Sequence, residues 1–157
     1  MTATVHIMRG IPGSGKSTVA KMLTKPEFIC SADDYFMKDG VYTFVQHEIG
    51  KAHQACLKKF VDLLHAYNAK AEYDLGFRLD AEDVIVVVDN TNLRRWEYET
   101  YVKVAELAGW LVEFTEFVPP RDNTLGDYVR LCASRNAHGV SPNQCMRMAS
   151  IYEVRQA

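Results

Sequence analysis

The chain has 157 residues, and a domain of this length buries about 70% of the surface of its unfolded chain, so it needs no disulfide or metal to fold. Its net charge of −2 excludes a broad basic surface that wraps duplex nucleic acid and leaves room for a local basic contact only. The absence of membrane-length apolar runs and of C-x-x-C pairs favours a cytoplasmic protein with reduced cysteines and no membrane contact.

The first pattern in the chain is a short apolar strand followed by a glycine-rich turn. Residues 4–8 suit a buried strand, and residues 10–17 fit the spacing G-x-x-x-x-G-K-[ST] of a phosphate-binding loop, or P-loop. Glycines permit the tight turn that points successive backbone N–H groups at phosphate oxygens. A helix predicted over residues 18–24 directs its positive end at the same anion. The predicted nucleotide-binding residues are Gly10, Pro12, Gly13, Ser14, Gly15, Lys16, Ser17 and Thr18.

Two side chains of this loop carry its chemistry. Lys16 can reach the β- and γ-phosphates of a nucleotide, and the Ser17 hydroxyl can hold Mg²⁺. The alternative is a glycine-rich turn with an incidental lysine, which the flanking strand and helix disfavour. We therefore predict ATP and Mg²⁺ as ligands.

An acidic pair follows the next predicted strand, residues 27–30. Ser31 and Asp34 have the spacing of a capping box that begins a short helix, which assigns Asp34 a structural task. Asp33 is then free at the carboxyl end of a strand, where ligands of open α/β sheets bind. It is the best candidate to accept the proton of an acceptor hydroxyl, and the alternative is an aspartate that stabilises a turn.

A long helix is predicted from a second capping box, Thr43 with Gln46, to about Asn68. His53 on this helix, and His138 near the end of the chain, are candidate substrate contacts, although a helical histidine is more often packed and hydrogen-bonded. Residues 68–83 have no clear pattern and either extend the helix or form an excursion from it. The apolar stripe of the helix comprises Val45, Ile49, Ala52, Cys56, Phe60, Leu63 and Tyr67.

The clearest strand is formed by residues 84–88, which are apolar without alternation, as in a central parallel strand covered on both faces. Asp89 follows it and either supports a metal through water or caps the next helix. We expect Asn92 or Thr91 to cap that helix, which Gly109 ends. Its predicted apolar stripe comprises Leu93, Trp96, Thr100, Val104 and Leu107.

A cationic lid is predicted beyond the fourth strand, residues 110–118. Residues 121–137 are predicted to be helical, and the glycine at 139 suits a mobile flap. Arg135 is the leading lid cation, with Arg130 and Arg121 as further candidates. A final helix begins at a third capping box, Ser141 with Gln144, and has Pro142 at its first position.

Strands alternate with helices throughout, which predicts one α/β domain over residues 1–157. Its sheet is parallel, has about four strands and carries helices on both faces, as in the P-loop NTPase/kinase fold.

Four segments in this order resemble one family of P-loop kinases: GIPGSGKST, SADDYF, VVVDNTN with Trp-Glu four residues on, and RNAHGVS. The family includes the 5′-hydroxyl polynucleotide kinases and the related P-loop (AAA/zeta-toxin-like) domains of ubiquitin-ligase-binding proteins. The resemblance implies that Lys16 and Ser17 bind phosphate and magnesium, that Asp33 is the general base and that Arg135 is the lid arginine. Asp89 and Asn92 fall in the family's motif after its third strand.

The chain departs from the polynucleotide kinases at two positions near Asp33. Arginines that grip the substrate are replaced here by Ala32 and Phe36. An aromatic ring can stack on a base but cannot hold a phosphate, so we expect Phe36, with Asp33, Asn92 and His53, to contact substrate.

The function implied by the resemblance is transfer of the γ-phosphate of ATP to a nucleic-acid hydroxyl, most simply a 5′ end of DNA or RNA. One alternative is a kinase of hydroxymethylated bases in DNA, such as 5-hydroxymethyluracil, or of a nucleoside or small alcohol. Another alternative is a nucleotide-binding module without transfer. The choice between ATP and GTP, and the oligomeric state, stay open.

Overall fold

The structure is a computed structural model that describes residues 2–73 and 83–156. The predicted alternation of strands and helices is present along these residues. The strands are β1 (Ala3–Arg9), β2 (Ile29–Cys30), β3 (Met37–Lys38), β4 (Val41–Tyr42), β5 (Val84–Asp89) and β6 (Leu111–Glu116). The helices are α1 (Lys16–Leu23), α2 (Ile49–Tyr73), α3 (Arg95–Leu107), α4 (Leu125–Arg135) and α5 (Pro142–Ser150), and short 3₁₀ turns form at Pro26–Phe28, Ala32–Phe36 and Gln46–Glu48.

Four strands form a parallel sheet in the order β2-β5-β1-β6. The apolar run of β5 lies between β2 and β1, so it is central, as predicted. Because all four strands run the same way, their carboxyl ends share one edge of the sheet. The segment after β1, Asp89 at the end of β5 and the turn after β2 therefore lie along that edge, where ligands of such sheets bind.

Helices cover both faces of the sheet, because alternate residues of β1 point in opposite directions. Val5 and Ile7 belong to a buried cluster that includes residues of α2 and α3. Met8 packs in a different cluster with Ala20 of α1. The predicted α/β architecture with helices on both faces is thus confirmed.

A small antiparallel hairpin, β3 with β4, follows the acidic pair and was not predicted as strands. It pairs Met37 with Tyr42. Its turn at Asp39 and Gly40 has positive φ angles of 52° and 78°. The hairpin places Tyr42 beside the carboxyl edge of the sheet.

The bounds of α2 differ from the prediction at both ends. The 3₁₀ turn Gln46–Glu48 precedes the helix and has no side-chain cap, so the predicted capping box at Thr43 is wrong. The helix continues past Asn68 to Tyr73. The Asn68 side chain links α2 to the end of α3: it accepts a hydrogen bond from Trp110 Nε1 at 3.0 Å and donates one to the carbonyl of Ala108 at 3.0 Å. The rest of the unpatterned stretch, residues 74–82, lies outside the described residues.

Helix α3 has a different cap and a different buried face from those predicted. It begins after Arg94, whose backbone N–H donates to the Glu97 carboxylate at 2.9 Å, rather than at Thr91 or Asn92. The predicted stripe is wrong at Trp96, which is 66% exposed, and at Leu107, which is 90% exposed. The side chains that α3 buries are Tyr98, Tyr101 and Ala105.

The helix of the lid segment is shorter than predicted, whereas the final helix has the cap that was predicted for it. Asp122 accepts a hydrogen bond from the backbone N–H of Thr124 at 2.8 Å, which forms a turn before α4 instead of a helix from residue 121. Ser141 accepts from the backbone N–H of Gln144 at 3.2 Å and begins α5.

Among the helices of residues 2–73 and 83–156, none combines the length and apolar character that spanning a membrane requires.

Candidate functional site

The P-loop joins β1 to α1 and has the backbone geometry that its glycines predict. Gly13 and Gly15 have φ angles of +80° and +110°, in the left-handed region that favours glycine. A Cβ atom at Gly13 would lie 1.9 Å from the carbonyl oxygen of Cys132 in α4. The Gly10 N–H donates to the Thr91 carbonyl at 3.0 Å and ties the loop to the segment after β5. The loop is therefore held between that segment and α4.

Lys16 is the first residue of α1 and is 8% exposed. Its Nζ donates to the Ile11 carbonyl at 3.0 Å, so the ammonium lies over the loop itself. Burial lowers the pKa of Lys16, and the carboxylates of Asp89 and Asp33 act in the opposite direction. A buried cation is costly unless an opposite charge pairs with it, and a phosphate bound by the loop would supply that charge.

Ser17 and Asp89 form the polar pair next to the lysine. The Ser17 hydroxyl donates to Asp89 Oδ2 at 2.8 Å. Asp89 Oδ1 is buried and has no hydrogen-bond partner. Burial raises the pKa of Asp89, while the hydrogen bond from Ser17 and the charge of Lys16 lower it. A buried carboxylate oxygen without a partner beside a serine hydroxyl fits Mg²⁺, which prefers oxygen ligands and keeps several waters and substrate phosphates.

Ser14 supplies a second buried polar atom without a partner. Its Oγ lies inside the loop and makes no hydrogen bond. Leaving such a group unpaired costs about 1–3 kcal/mol, so Ser14 Oγ in the loop and Asp89 Oδ1 at the end of β5 call for a polar ligand. Pro12 and Thr18, two further predicted contacts, lie within and just after the loop, and their contact with nucleotide stays a prediction.

Asp33 lies in the 3₁₀ turn Ala32–Phe36 directly after β2. Ser31 Oγ accepts from the Asp33 backbone N–H at 3.2 Å, so the predicted side-chain pairing of a capping box with Asp34 is wrong. The Ala32 N–H donates to Asn90 Oδ1 at 2.9 Å, which fastens this turn to the residue after β5. The Asp33 side chain is 48% exposed, so it is open to solvent beside the P-loop lysine whose pKa it affects.

Two aromatic side chains contact the Asp33 carboxylate. The Tyr42 hydroxyl donates to Oδ1 at 3.3 Å, and His138 Nε2 lies 3.2 Å from Oδ2. The two rings lie against each other with centroids 4.1 Å apart and an interplanar angle of 36°. Burial, followed by the Asp33 charge and the hydrogen bond to it, raises the pKa of Tyr42 to about 12. Tyr42 is therefore a neutral hydrogen-bond donor at neutral pH. The sequence held no signal for Tyr42, and His138 was a candidate without a predicted partner.

The lid residues lie on α4 and on the loop after it. Arg135 ends α4, where its Nη2 is 3.9 Å from the sulfur of Cys132, the residue whose carbonyl adjoins Gly13. Arg130 is turned to an ion pair with Asp127 on the exposed side of the same helix. Arg121 donates to the Tyr152 carbonyl at 3.3 Å. The nucleotide contact of Arg130 and the catalytic role of Arg135 stay predictions.

Two side chains predicted to contact substrate, Phe36 and Asn92, are buried, and their contact with substrate stays a prediction. Phe36 is 3% exposed and packs against Tyr42 and Phe44, with ring centroids 6.1 Å and 5.1 Å away, so its ring is a core side chain. Asn92 is 2% exposed and donates to the Met8 carbonyl at 2.8 Å, so its amide holds β1 in place. His53 is on an exposed position of α2, and its role stays a prediction.

Arg9, the residue before the P-loop, is a structural hub that sequence reasoning missed. It is 0% exposed and bonds to the Glu116 carboxylate at 2.6 Å. Its guanidinium also donates to the carbonyls of Asn92, Leu93 and Glu153 at 2.7, 2.8 and 2.7 Å. One cation therefore ties together the segment after β5, the end of β6 and the segment after α5. In the sequence, the only sign of this role was that Arg9 is a charged residue at the end of a predicted buried strand.

Known proteins are similar to this chain over most of its length. A protein-family model described as an AAA domain matches residues 5–154. NEDD4-binding protein 2 of Homo sapiens is 31% identical over 150 residues, which cover 94% of this chain and 7% of that protein. YLP motif-containing protein 1 of Mus musculus is 27% identical over 165 residues, which cover 96% of this chain and 11% of that protein. The chain thus spans only a small part of the length of these curated relatives.

Proposed function

Since the chain belongs to the AAA-domain family that matches residues 5–154, we propose that this nucleotide-binding P-loop domain is an ATP-dependent kinase acting on a hydroxyl group of a nucleic acid. The acceptor we favour is a 5′-hydroxyl end. Membership of the family bears out the resemblance of the four motifs, and the reaction and its acceptor are our proposal. The observation that supports it most is the half-exposed Asp33 carboxylate beside a P-loop that has its lysine and its serine–aspartate pair.

The proposed reaction needs positioning and charge compensation more than covalent chemistry. The acceptor oxygen attacks the γ-phosphorus while its proton passes to Asp33, and the bond to the β–γ bridging oxygen breaks, so that ADP leaves. The Lys16 ammonium compensates charge on the β- and γ-phosphates, and Arg135 does so from the lid. Ser17 and Asp89 would hold Mg²⁺, Asp89 through water. When bound, Mg²⁺ supplies further positive charge to the phosphates.

A second candidate keeps this chemistry and changes the acceptor. The substrate arginines of the polynucleotide kinases are replaced by Ala32 and by the buried Phe36. The Asp33 carboxylate contacts the aromatic side chains of Tyr42 and His138 instead. Aromatic side chains around the base suit an acceptor that has a ring to pack against them, such as a hydroxymethylated base in DNA or a nucleoside. Another small alcohol is also possible as the acceptor in this candidate.

The third candidate is a nucleotide-binding module without transfer. The name of NEDD4-binding protein 2 describes binding to another protein, which is compatible with such a role in that relative. A module of this kind has no use for an open carboxylate beside the nucleotide loop. We therefore rank it last.

The acceptor test is transfer of labelled γ-phosphate to 5′-hydroxyl DNA and RNA, to DNA with hydroxymethylated bases, and to nucleosides and small alcohols. Asp33→Asn should abolish transfer and retain nucleotide binding. Asp34→Asn is the matched control, because Asp34 is the adjacent carboxylate, is 62% exposed and lies 4.0 Å from Lys59. ATP binding without transfer to any acceptor would overturn the kinase proposal and favour the binding module.

A further inference from the structure

The loop after α4 is built to present one side chain. Asn136 Oδ1 accepts from the Val140 N–H at 2.8 Å, and Asn136 Nδ2 donates to the Val140 carbonyl at 2.9 Å. This double bridge closes residues 136–140 into a small ring of chain, with Gly139 at a φ of +69°. His138 is at the tip of that ring. Its position is therefore set by the loop rather than left to a free side chain.

The presented side chain contacts the proposed base. His138 Nε2 lies 3.2 Å from Asp33 Oδ2, an ion-pair distance, and a carboxylate oxygen is a partner for an imidazole N–H because it can only accept. The Tyr42 hydroxyl donates to the other oxygen at 3.3 Å, which is long for a hydrogen bond between two oxygens. A hydrogen bond of this length is weak, so an incoming hydroxyl can displace it.

The other end of the lid is fixed to the P-loop. The Cys132 carbonyl of α4 lies against Gly13, where not even a methyl group fits. His138 follows Arg135 by three residues on the same segment. A lid seated on Gly13 therefore brings the arginine and the histidine to the site together.

We propose that His138 is a positioning residue: it holds one oxygen of the Asp33 carboxylate so that the other oxygen receives the acceptor hydroxyl in place of Tyr42. The inference rests on the proposed kinase function. Arg135 and His138 lie on one segment, so the same lid supplies charge compensation through Arg135 and aligns the base through His138. The acceptor binds between the β3–β4 hairpin and the lid loop.

Steady-state kinetics of transfer separates this role from a structural one. His138→Ala should lower kcat about ten- to a hundred-fold with little change in the KM of the acceptor, because a misaligned general base slows the transfer step. His138→Gln keeps an N–H donor and should recover most of the loss. Tyr42→Phe should lower the acceptor KM at unchanged kcat, since no hydroxyl then competes. His65→Ala, on an exposed position of α2, is the control that leaves kinetics unchanged.

The contact itself is measured without any reaction, by the imidazole ¹⁵N shifts of His138 in the nucleotide-free protein. They should change in Asp33→Asn and stay the same in Asp34→Asn. Unchanged shifts in Asp33→Asn, or a wild-type kcat in His138→Ala, would overturn the positioning role while the kinase function stands. A wild-type protein without transfer to any acceptor would overturn the kinase function, and the positioning role with it.

Discussion

The Ser17 hydroxyl donates a 2.8 Å hydrogen bond to one oxygen of Asp89, and the other oxygen of that carboxylate is buried with no partner. The two residues come from different elements, α1 and β5, which the parallel sheet brings to one edge. A pair with one spare oxygen is prepared for a ligand that supplies positive charge or a proton.

Asp89→Asn should weaken binding of Mg²⁺–nucleotide at least tenfold, because second-shell carboxylates of metals contribute about 10- to 100-fold to affinity. Asparagine still accepts from Ser17, so binding measured in EDTA should change little. Isothermal titration of ATP with and without Mg²⁺ gives both affinities. Asp33→Asn is the control that keeps the Mg²⁺ effect. An equal loss with and without Mg²⁺ would show that Asp89 only shapes the loop.

Gly13→Ala should destabilise the protein by about 2–5 kcal/mol, as the sum of a left-handed backbone and an overpacked contact. The matched control is Gly109→Ala, because Gly109 also has a φ of +80° but has nothing within 4 Å of an added Cβ. It should cost about 1–2 kcal/mol, the backbone part alone. Urea unfolding of both variants measures the difference. Equal losses would mean that α4 does not rest on Gly13 in solution.

Arg9→Met should cost about 3–5 kcal/mol of the free energy of unfolding, because it removes the cation of a buried pair. Glu116 loses its 2.6 Å partner, and three carbonyls lose a donor. Arg95→Met is the surface control: Arg95 is 74% exposed and lies 3.6 Å from Glu99, so its loss should stay below about 1 kcal/mol. Denaturant midpoints check both values, and a small loss at Arg9 would contradict its role as the hub of the loop.

Acid should destabilise the protein through His6. Burial lowers the pKa of His6, against the opposing charge of Glu113, which lies 3.6 Å away. The unfolded chain therefore binds a proton first as pH falls below about 6.5. Stability contributed by neutral His6 is complete above that pH and is lost as pH falls through the lower pKa of the folded protein.

His6→Gln should remove this part of the pH dependence, since glutamine does not titrate. Urea unfolding at pH 7.5 and at pH 5 measures the loss for both proteins. The variant should lose less stability on acidification than the wild type. The exposed His65→Ala should retain the wild-type slope. Equal slopes in all three proteins would mean that His6 does not contribute.

Local chemistry was predictable wherever neighbouring residues are sufficient to define it. The glycine spacing of residues 10–17 defines the P-loop, since its N–H groups come from one short stretch of backbone. The apolar run before Asp89 likewise predicts a central strand, because that pattern also lies within one short stretch of the chain. Asp33 was found because it directly follows a strand that ends at the ligand edge.

Predictions failed where burial depends on which segment lies opposite. Both possible faces of α3 carry aromatic or aliphatic side chains. Packing against β6 and α2 buried Tyr98 and Tyr101 rather than Trp96. Phe36 was expected at the substrate because of its place beside Asp33, and the hairpin that follows it covers the ring instead. Periodicity reports that a helix has an apolar side, but only packing decides which side is covered.

By itself, the sequence determined the parallel α/β fold, the nucleotide loop and the acidic residue beside it, because each depends on a spacing along the chain. Tertiary structure alone decided that Arg9 ties the loop together, that Asn92 supports β1 and that Tyr42 and His138 meet at Asp33. These contacts join segments far apart in the chain. Their partners are selected by the distance between side chains in space, which no local spacing encodes.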